Sequence, residues 1–235
     1  MIIETERLIL RPWEESDAES LYEYAKDPRV GPIAGWPIHT SVENSLEIIR
    51  TVLQKEGNYA ICLKEDNKAI GSIGFFQSHN NCAKEGELEI GFWIGEPFWG
   101  KGYVPEAVRE IQKYCFEELG SELIWCVHWD KNIKSRKAQM KCGFVYHHTE
   151  ENCYNSLIDE YRNHCVNVLT KEEFDVQDKN FRKLMGSINK KPSVRFQCRE
   201  KDRKFELKGF LSKFELEIEP LPIILLVFCL KGSTF

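Results

Sequence analysis

The segment Ile94-Gly-Glu-Pro-Phe-Trp-Gly-Lys-Gly-Tyr-Val-Pro-Glu-Ala107 joins a predicted strand to a predicted helix through a glycine-bearing turn. Before it, Glu87–Ile94 (ELEIGFWI) has strand composition. After it, Val104, Ala107, Val108, Ile111, Cys115 and Leu119 keep helical spacing until Gly120. The first peptide N–H groups of a helix lack internal partners and carry partial positive charge, so such an end suits a phosphate. Glycines let a diphosphate approach the backbone, and Pro105 fits the first turn, where a missing N–H costs nothing. A Walker loop would need Ser or Thr after Lys101, and a dinucleotide fingerprint would need a third glycine where Pro105 stands.

The flanking sequence predicts a layered α/β domain. Thr5–Arg11 is expected to be a first strand. Capping boxes Ser16/Glu19 and Thr40/Glu43 are expected to open two helices, running to about Lys26 and Lys55. Between them, residues 27–39 read as a loop carrying Trp36. Tyr59–Lys64 and Lys68–Gln77 form a predicted hairpin. Leu123–Val127 reads as a buried central strand, 131–141 as a short helix, and 144–148 and 162–169 as the last strands. The expected order is β-α-α-β-β-β-α-β-α-β-β, in residues 1–174.

Composition narrows the class. Hydrophobic residues are 42% and charged residues 29%, ordinary for a globular protein. The net charge of −5 is uneven: from Asp175 onward 13 basic residues face 8 acidic ones, leaving an acidic body. An acidic body suits an amine and argues against nucleic acid as a partner of the main domain. Nine cysteines without a Cys-x-x-Cys pair predict reduced thiols in a cytoplasmic protein and no metal site. The charged N-terminus lacks a secretion signal's apolar stretch, and the longest apolar run, Ile223–Leu230, is too short to span a bilayer. His147 and His148, adjacent on a strand, are expected to face opposite sides; His128 is expected at the surface, or else approaching the site from the strand end, and Cys142 in the core.

Three blocks in order resemble the GNAT N-acetyltransferases. They are Glu4-Thr-Glu-Arg-Leu-Ile-Leu-Arg11, then Glu89-Ile-Gly-Phe-Trp-Ile94 with Phe98-Trp-Gly-Lys-Gly-Tyr-Val-Pro-Glu-Ala107, then Asn132-x-x-Ser135 with Lys141-Cys-Gly-Phe144. The branch resembled most is that of the ribosomal-protein N-terminal acetyltransferases. The resemblance implies a mixed, largely antiparallel sheet with helices on both faces, and acetyl-CoA as cosubstrate to an amine acceptor.

It also implies roles. Backbone N–H groups of Gly100, Lys101, Gly102, Tyr103 and Val104 would hold the diphosphate. Phe92, Trp93 and Ile94 would pair with the pantetheine, one N–H near Trp93 or Ile94 pointing at the thioester oxygen. Asn132 would bond the pantetheine, or cap a helix. Glu89 would be the base, or a structurally paired carboxylate. The general-acid tyrosine of other branches is replaced by Gln139, leaving Ser135 to protonate the sulfur, or to bond backbone at a helix start. Lys134, Arg136 and Lys137 would meet the 3′-phosphate, or form a solvated basic face. Trp13, Trp36 and Tyr59 are candidates for the acceptor pocket, or core aromatics. Residues 175–235 match nothing recognisable and are left unassigned. The competing readings are a catalytically silent acetyl-CoA sensor and a module binding nucleic acid through the basic tail. Oligomeric state stays open, a homodimer included.

Overall fold

The computed structural model describes the backbone of residues 1–189 and side chains through 183; the apolar run at 223–230 lies outside the described residues. Met1–Phe174 forms one compact unit, and a second begins at Asp175. In the first unit the strands are β1 (Ile3–Glu4), β2 (Leu8–Arg11), β3 (Asn58–Leu63), β4 (Ala69–Gln77), β5 (Leu88–Ile94), β6 (Leu123–Trp129), β7 (Val145–Asn155) and β8 (Glu160–Thr170). The helices are α1 (Ala18–Ala25), α2 (Gly31–Ala34), α3 (Val42–Ile48), α4 (Tyr103–Lys113) and α5 (Ile133–Lys141), and α6 (Lys171–Asn189) follows. π-helical turns at Ile49–Leu53 and Tyr114–Glu118 prolong α3 and α4.

The eight strands form one sheet in the order β1-β2-β3-β4-β5-β6-β8-β7. Every neighbouring pair is antiparallel except β5–β6. Strand side chains alternate between faces, and the cores follow. Tyr59, Ile61, Ile70, Ile73, Ile90, Ile124 and Cys126 share one cluster with Val104, Ala107, Val108 and Ile111 of α4. Ala60, Cys62 and Ala69 meet Leu21 and Ala25 of α1, with Leu46 of α3 packed against them on the opposite face. Cys142 is buried in the α4-side core, as the sequence predicts.

Three sequence expectations change. The first strand breaks at Thr5, whose Oγ1 accepts from Leu8 N–H at 2.8 Å; this local side-chain bond makes a turn that folds β1 back onto β2. The capping boxes shift. Glu14 and Asp17 form the first, and Ser41, accepting from Asn44 N–H, caps α3. A short helix, α2, occupies part of the expected loop and ends at Gly35 in the left-handed region.

A buried ion pair ties β2 to the start of α1. Arg11 donates to both oxygens of Asp17 at 2.7 and 2.8 Å and also to Asn67, and both side chains are 8% exposed. Removing one partner strands the other charge in the core. Arg11→Ala is therefore expected to lower stability by about 3–5 kcal/mol in urea unfolding. A change within about 0.5 kcal/mol, typical of a surface site, would contradict this.

Candidate active site

β5 and β6 pair only at Leu88↔Ile124 and Glu89↔Trp125. Beyond that point β5 stays bonded to β4 through Ile94, while β6 continues on β8 through Trp129. The two parallel strands therefore diverge, and a slot opens between Gly91–Ile94 and Cys126–Trp129. The peptide orientations follow from the β4 register. Ser78 N–H donates to Glu87 O, and Gly95 N–H to Ile70 O. Odd-numbered residues from 87 to 95 therefore face β4, and Ile90, Phe92 and Ile94 face the slot. Of Trp93 and Ile94, it is Ile94 that turns its N–H to the slot, as Phe92 does; Trp93 bonds toward β4. The Cys126 thiol donates to Ile90 O at 3.1 Å, and the Trp99 indole donates to Ile94 O at 2.9 Å.

The slot leads to the N-terminus of α4. Gly100 and Gly102 have φ of 77° and 83°, a region where other residues are strained by roughly 1–2 kcal/mol. Gly102 is the N-cap and uses no side chain. The first helical bond runs from Glu106 N–H to Gly102 O, so the N–H groups of Gly102, Tyr103 and Val104 have no helical acceptor. A Cβ on Gly100 would meet nothing within 4 Å, so the turn has room for a bulky anion. The Lys134 ammonium lies 3.3 Å from the centre of the Trp99 ring, adding positive charge beside the turn. Arg136 and Lys137 are exposed. A diphosphate-bearing thioester fits these donors.

The N-terminal residues brace this turn. Arg7 donates to Lys101 O at 3.0 Å and to Glu106 at 2.7 Å, and its guanidinium covers the Tyr103 ring at 4.5 Å. Thr5 Oγ1 also donates to Glu106 at 2.5 Å. In the sequence Thr5 and Arg7 read only as part of a strand block, with no sign of this role.

The two faces of the slot carry different chemistry. Glu89 lies on the α1 side with Trp93, half-buried. Its Oε2 accepts from Ser78 Oγ at 2.8 Å, and Ser78 in turn accepts from Asn80 Nδ2 at 2.8 Å. Burial pushes the Glu89 carboxyl above the ordinary carboxylate range, against the Ser78 hydrogen bond, which lowers it. Ser78 and Asn80 are buried loop residues that no sequence motif marked.

On the α5 side, Ser135 Oγ accepts from Gln139 Nε2 at 3.1 Å. Its hydroxyl hydrogen is thereby left to donate. Gln139, 1% exposed, also donates to Val127 O and accepts from Asn167 at 2.6 Å. Asn167 lies 3.1 Å from His128 Nδ1. As donor, it leaves the neutral ring's proton on Nε2, a buried atom with no hydrogen-bond partner. Burial lowers the His128 pKa and favours that neutral form. The expectation of a surface histidine is thus corrected: His128 is 6% exposed, because β6 is covered by α5 and β8.

Other expectations separate similarly. Asn132 caps α5 by accepting from Ser135 N–H and donates to Ile33 O. Trp13, 2% exposed, donates to Ser72 Oγ and stacks on Trp93. Tyr59 is 7% exposed and packs on Phe75. Both lie among the core aromatics, because β2–β4 are covered by helices on both faces. Trp36 is half-buried with its edge on Trp93 at 5.4 Å, beside Glu89's side of the slot. His147 and His148 do not face apart. A β-bulge at this point places their Nδ1 atoms 2.8 Å from each other.

The acetyltransferase (GNAT) domain family matches residues 7–145. The chain belongs to that family. Its members are N-acetyltransferases, moving acetyl from acetyl-CoA to an amine. The chain is 35% identical over 145 residues to "Uncharacterized N-acetyltransferase p20" of Bacillus licheniformis, covering 60% of this chain and 80% of the relative. It is 36% identical over 76 residues to "Putative ribosomal N-acetyltransferase YdaF" of Bacillus subtilis, covering 32% and 42%. The structure of a GNAT-family acetyltransferase from Bacillus anthracis superposes with a TM-score of 0.65 at 24% identity, covering 73% of this chain and 99% of that one. The family's fold is therefore the fold seen here: a largely antiparallel sheet between helical layers.

Gly100→Val tests the glycine turn. It is expected to raise the Kd for coenzyme A at least about tenfold, the loss of roughly one charge-assisted bond, while the circular dichroism spectrum stays native. Unchanged affinity in calorimetry would remove the turn from the donor site.

Proposed function

We propose that residues 1–174 transfer acetyl from acetyl-CoA to a primary amine by direct attack on the thioester, with peptide or protein N-termini as the favoured acceptors. The carrying observation is the slot where β5 leaves β6, with Glu89 on one face and Ser135 on the other. Acetyl-CoA supplies a thioester carbon open to attack and a thiolate that departs. Gly100, Lys101, Gly102, Tyr103 and Val104 would hold its diphosphate, and Phe92 and Ile94 its pantetheine arm. A slot-facing N–H would meet the negative charge developing on the thioester oxygen.

Glu89 would take the amine's proton, directly or through one water, and Ser78 would orient the carboxylate for that step. Ser135, held by Gln139, would donate to the departing sulfur from the opposite face. Amine entry and thiol exit then use opposite sides of the sheet. Trp36, beside Trp93, would border the acceptor. An α-amine of pKa about 7.8 loses only about 1.1 kcal/mol to its protonated form at pH 7, against about 4.6 for a lysine ε-amine. A single relayed carboxylate suits the first better, and the local likeness to YdaF points the same way. Small amines such as polyamines, amino acids or aminoglycosides are the second acceptor class.

Thiol release from acetyl-CoA across peptides, polyamines and aminoglycosides is the experiment. A peptide with a free α-amine is expected to lead. Binding of acetyl-CoA without turnover on any amine would favour a silent sensor instead.

Glu89→Gln is expected to lower kcat by about 10²–10⁴ with little change in acetyl-CoA affinity. Because the base must be ionised and burial raises its pKa, kcat/KM should rise with pH through a limb above the ordinary carboxylate range. Glu89→Gln should abolish that limb. An unchanged rate would remove Glu89 from the mechanism.

A further inference from the structure

Strand β7 lies at the edge of the sheet and carries two bulges, between Tyr146 and His148 and between Glu150 and Cys153. In a regular strand, positions three apart face opposite sides. Here β7 advances from Glu150 to Cys153 while β8 advances only from His164 to Arg162, so one extra residue is inserted. Asn152, at φ of 53°, absorbs the kink, and its N–H is held by Asn163 Oδ1. The insertion turns Glu150 and Cys153 to the same side, where His164 stands directly across from Glu150. Ligand atoms of all three lie within 4.8 Å of one another, and all three side chains are half-buried.

We propose that Glu150, Cys153 and His164 bind one zinc-type divalent cation, with a fourth position open to solvent. A carboxylate, a thiolate and an imidazole form a mixed set that zinc takes at about 2.0–2.3 Å, and three protein ligands with one open position are common for it. The sulfur and imidazole donors disfavour magnesium and calcium, which select oxygen. Edge-strand bulges also block unwanted strand pairing, but that task needs only the extra residue. It does not need three convergent metal-ligand types.

The two Glu150 oxygens face different partners. Oε2 lies 4.0 Å from the Cys153 sulfur. Oε1 accepts from Asn81 N–H at 2.6 Å. A cation on the hairpin would therefore also fix the 78–86 loop, whose Ser78 bonds Glu89. A second trio, Cys82, His147 and His148, is close by. Its Cys82 and His147 are exposed, and Cys82 comes from the loop instead of the paired hairpin. The 150–153–164 set is the better held, and it is independent of the acetyl-transfer reading.

The test is a Co2+ titration of the full-length, reduced, chelator-stripped chain, followed by thiolate-to-cobalt charge-transfer absorption and zinc competition. The expected result is one equivalent bound. Cys153→Ser should lose the band, His164→Ala should weaken affinity at least about tenfold, and Cys82→Ser should leave both unchanged. His164→Ala and Glu150→Gln keep the thiol, so they report the site even where Cys153→Ser misfolds by circular dichroism. No band in the wild-type chain, or a band lost in Cys82→Ser and kept in Cys153→Ser, would overturn the proposal.

Discussion

The site depends on the parting of β5 from β6 after Glu89↔Trp125. Each strand keeps its other neighbour, β4 for β5 and β8 for β6, so the separation is held open from both sides. Peptide groups that a closed sheet would have paired are thereby presented at Phe92 and Ile94. An extended ligand that adds to a strand edge can satisfy them. The Trp99–Ile94 and Cys126–Ile90 bonds take up two of the freed carbonyls, which lowers the penalty for leaving backbone unpaired.

The same parting separates the chemistry by face. Side chains on β5 alternate, so Ile90 and Ile94 enter the core with α4 while Glu89 and Trp93 turn to the α1 side. On the α5 side, Gln139 bonds Val127 O of β6 and Ser135 Oγ, and Asn167 links it to His128. A carboxylate and a hydroxyl thus stand on opposite faces of one opening. The helix end at Gly102, braced by Arg7 and Glu106, lies at its mouth.

Much of this was legible because the glycine turn and α4 are local. Helical spacing, glycines at left-handed positions and a missing N–H at Pro105 belong to a continuous stretch. Burial and register were not legible. Trp13 and Tyr59 look like pocket aromatics until the sheet is covered on both faces. The His147–His148 contact and the approach of Glu150 to Cys153 exist only because β7 gains residues relative to β8, a fact of pairing invisible in either strand alone. Ser78 and Asn80 sit in a loop whose path depends on β4 and β5, and Gln139 matters through partners 12 and 28 residues away. Two sequence readings of Asn132 and Ser135 also prove to be joined. Asn132 caps α5 through the Ser135 N–H, while the Ser135 hydroxyl oxygen accepts from Gln139.

The most direct measurement is the amide proton–nitrogen spectrum of the full-length chain titrated with acetyl-CoA. The account predicts that the largest shifts fall on Phe92, Ile94, Gly100, Lys101, Gly102, Tyr103 and Val104. Saturable binding that leaves those amides unmoved while others shift would contradict it.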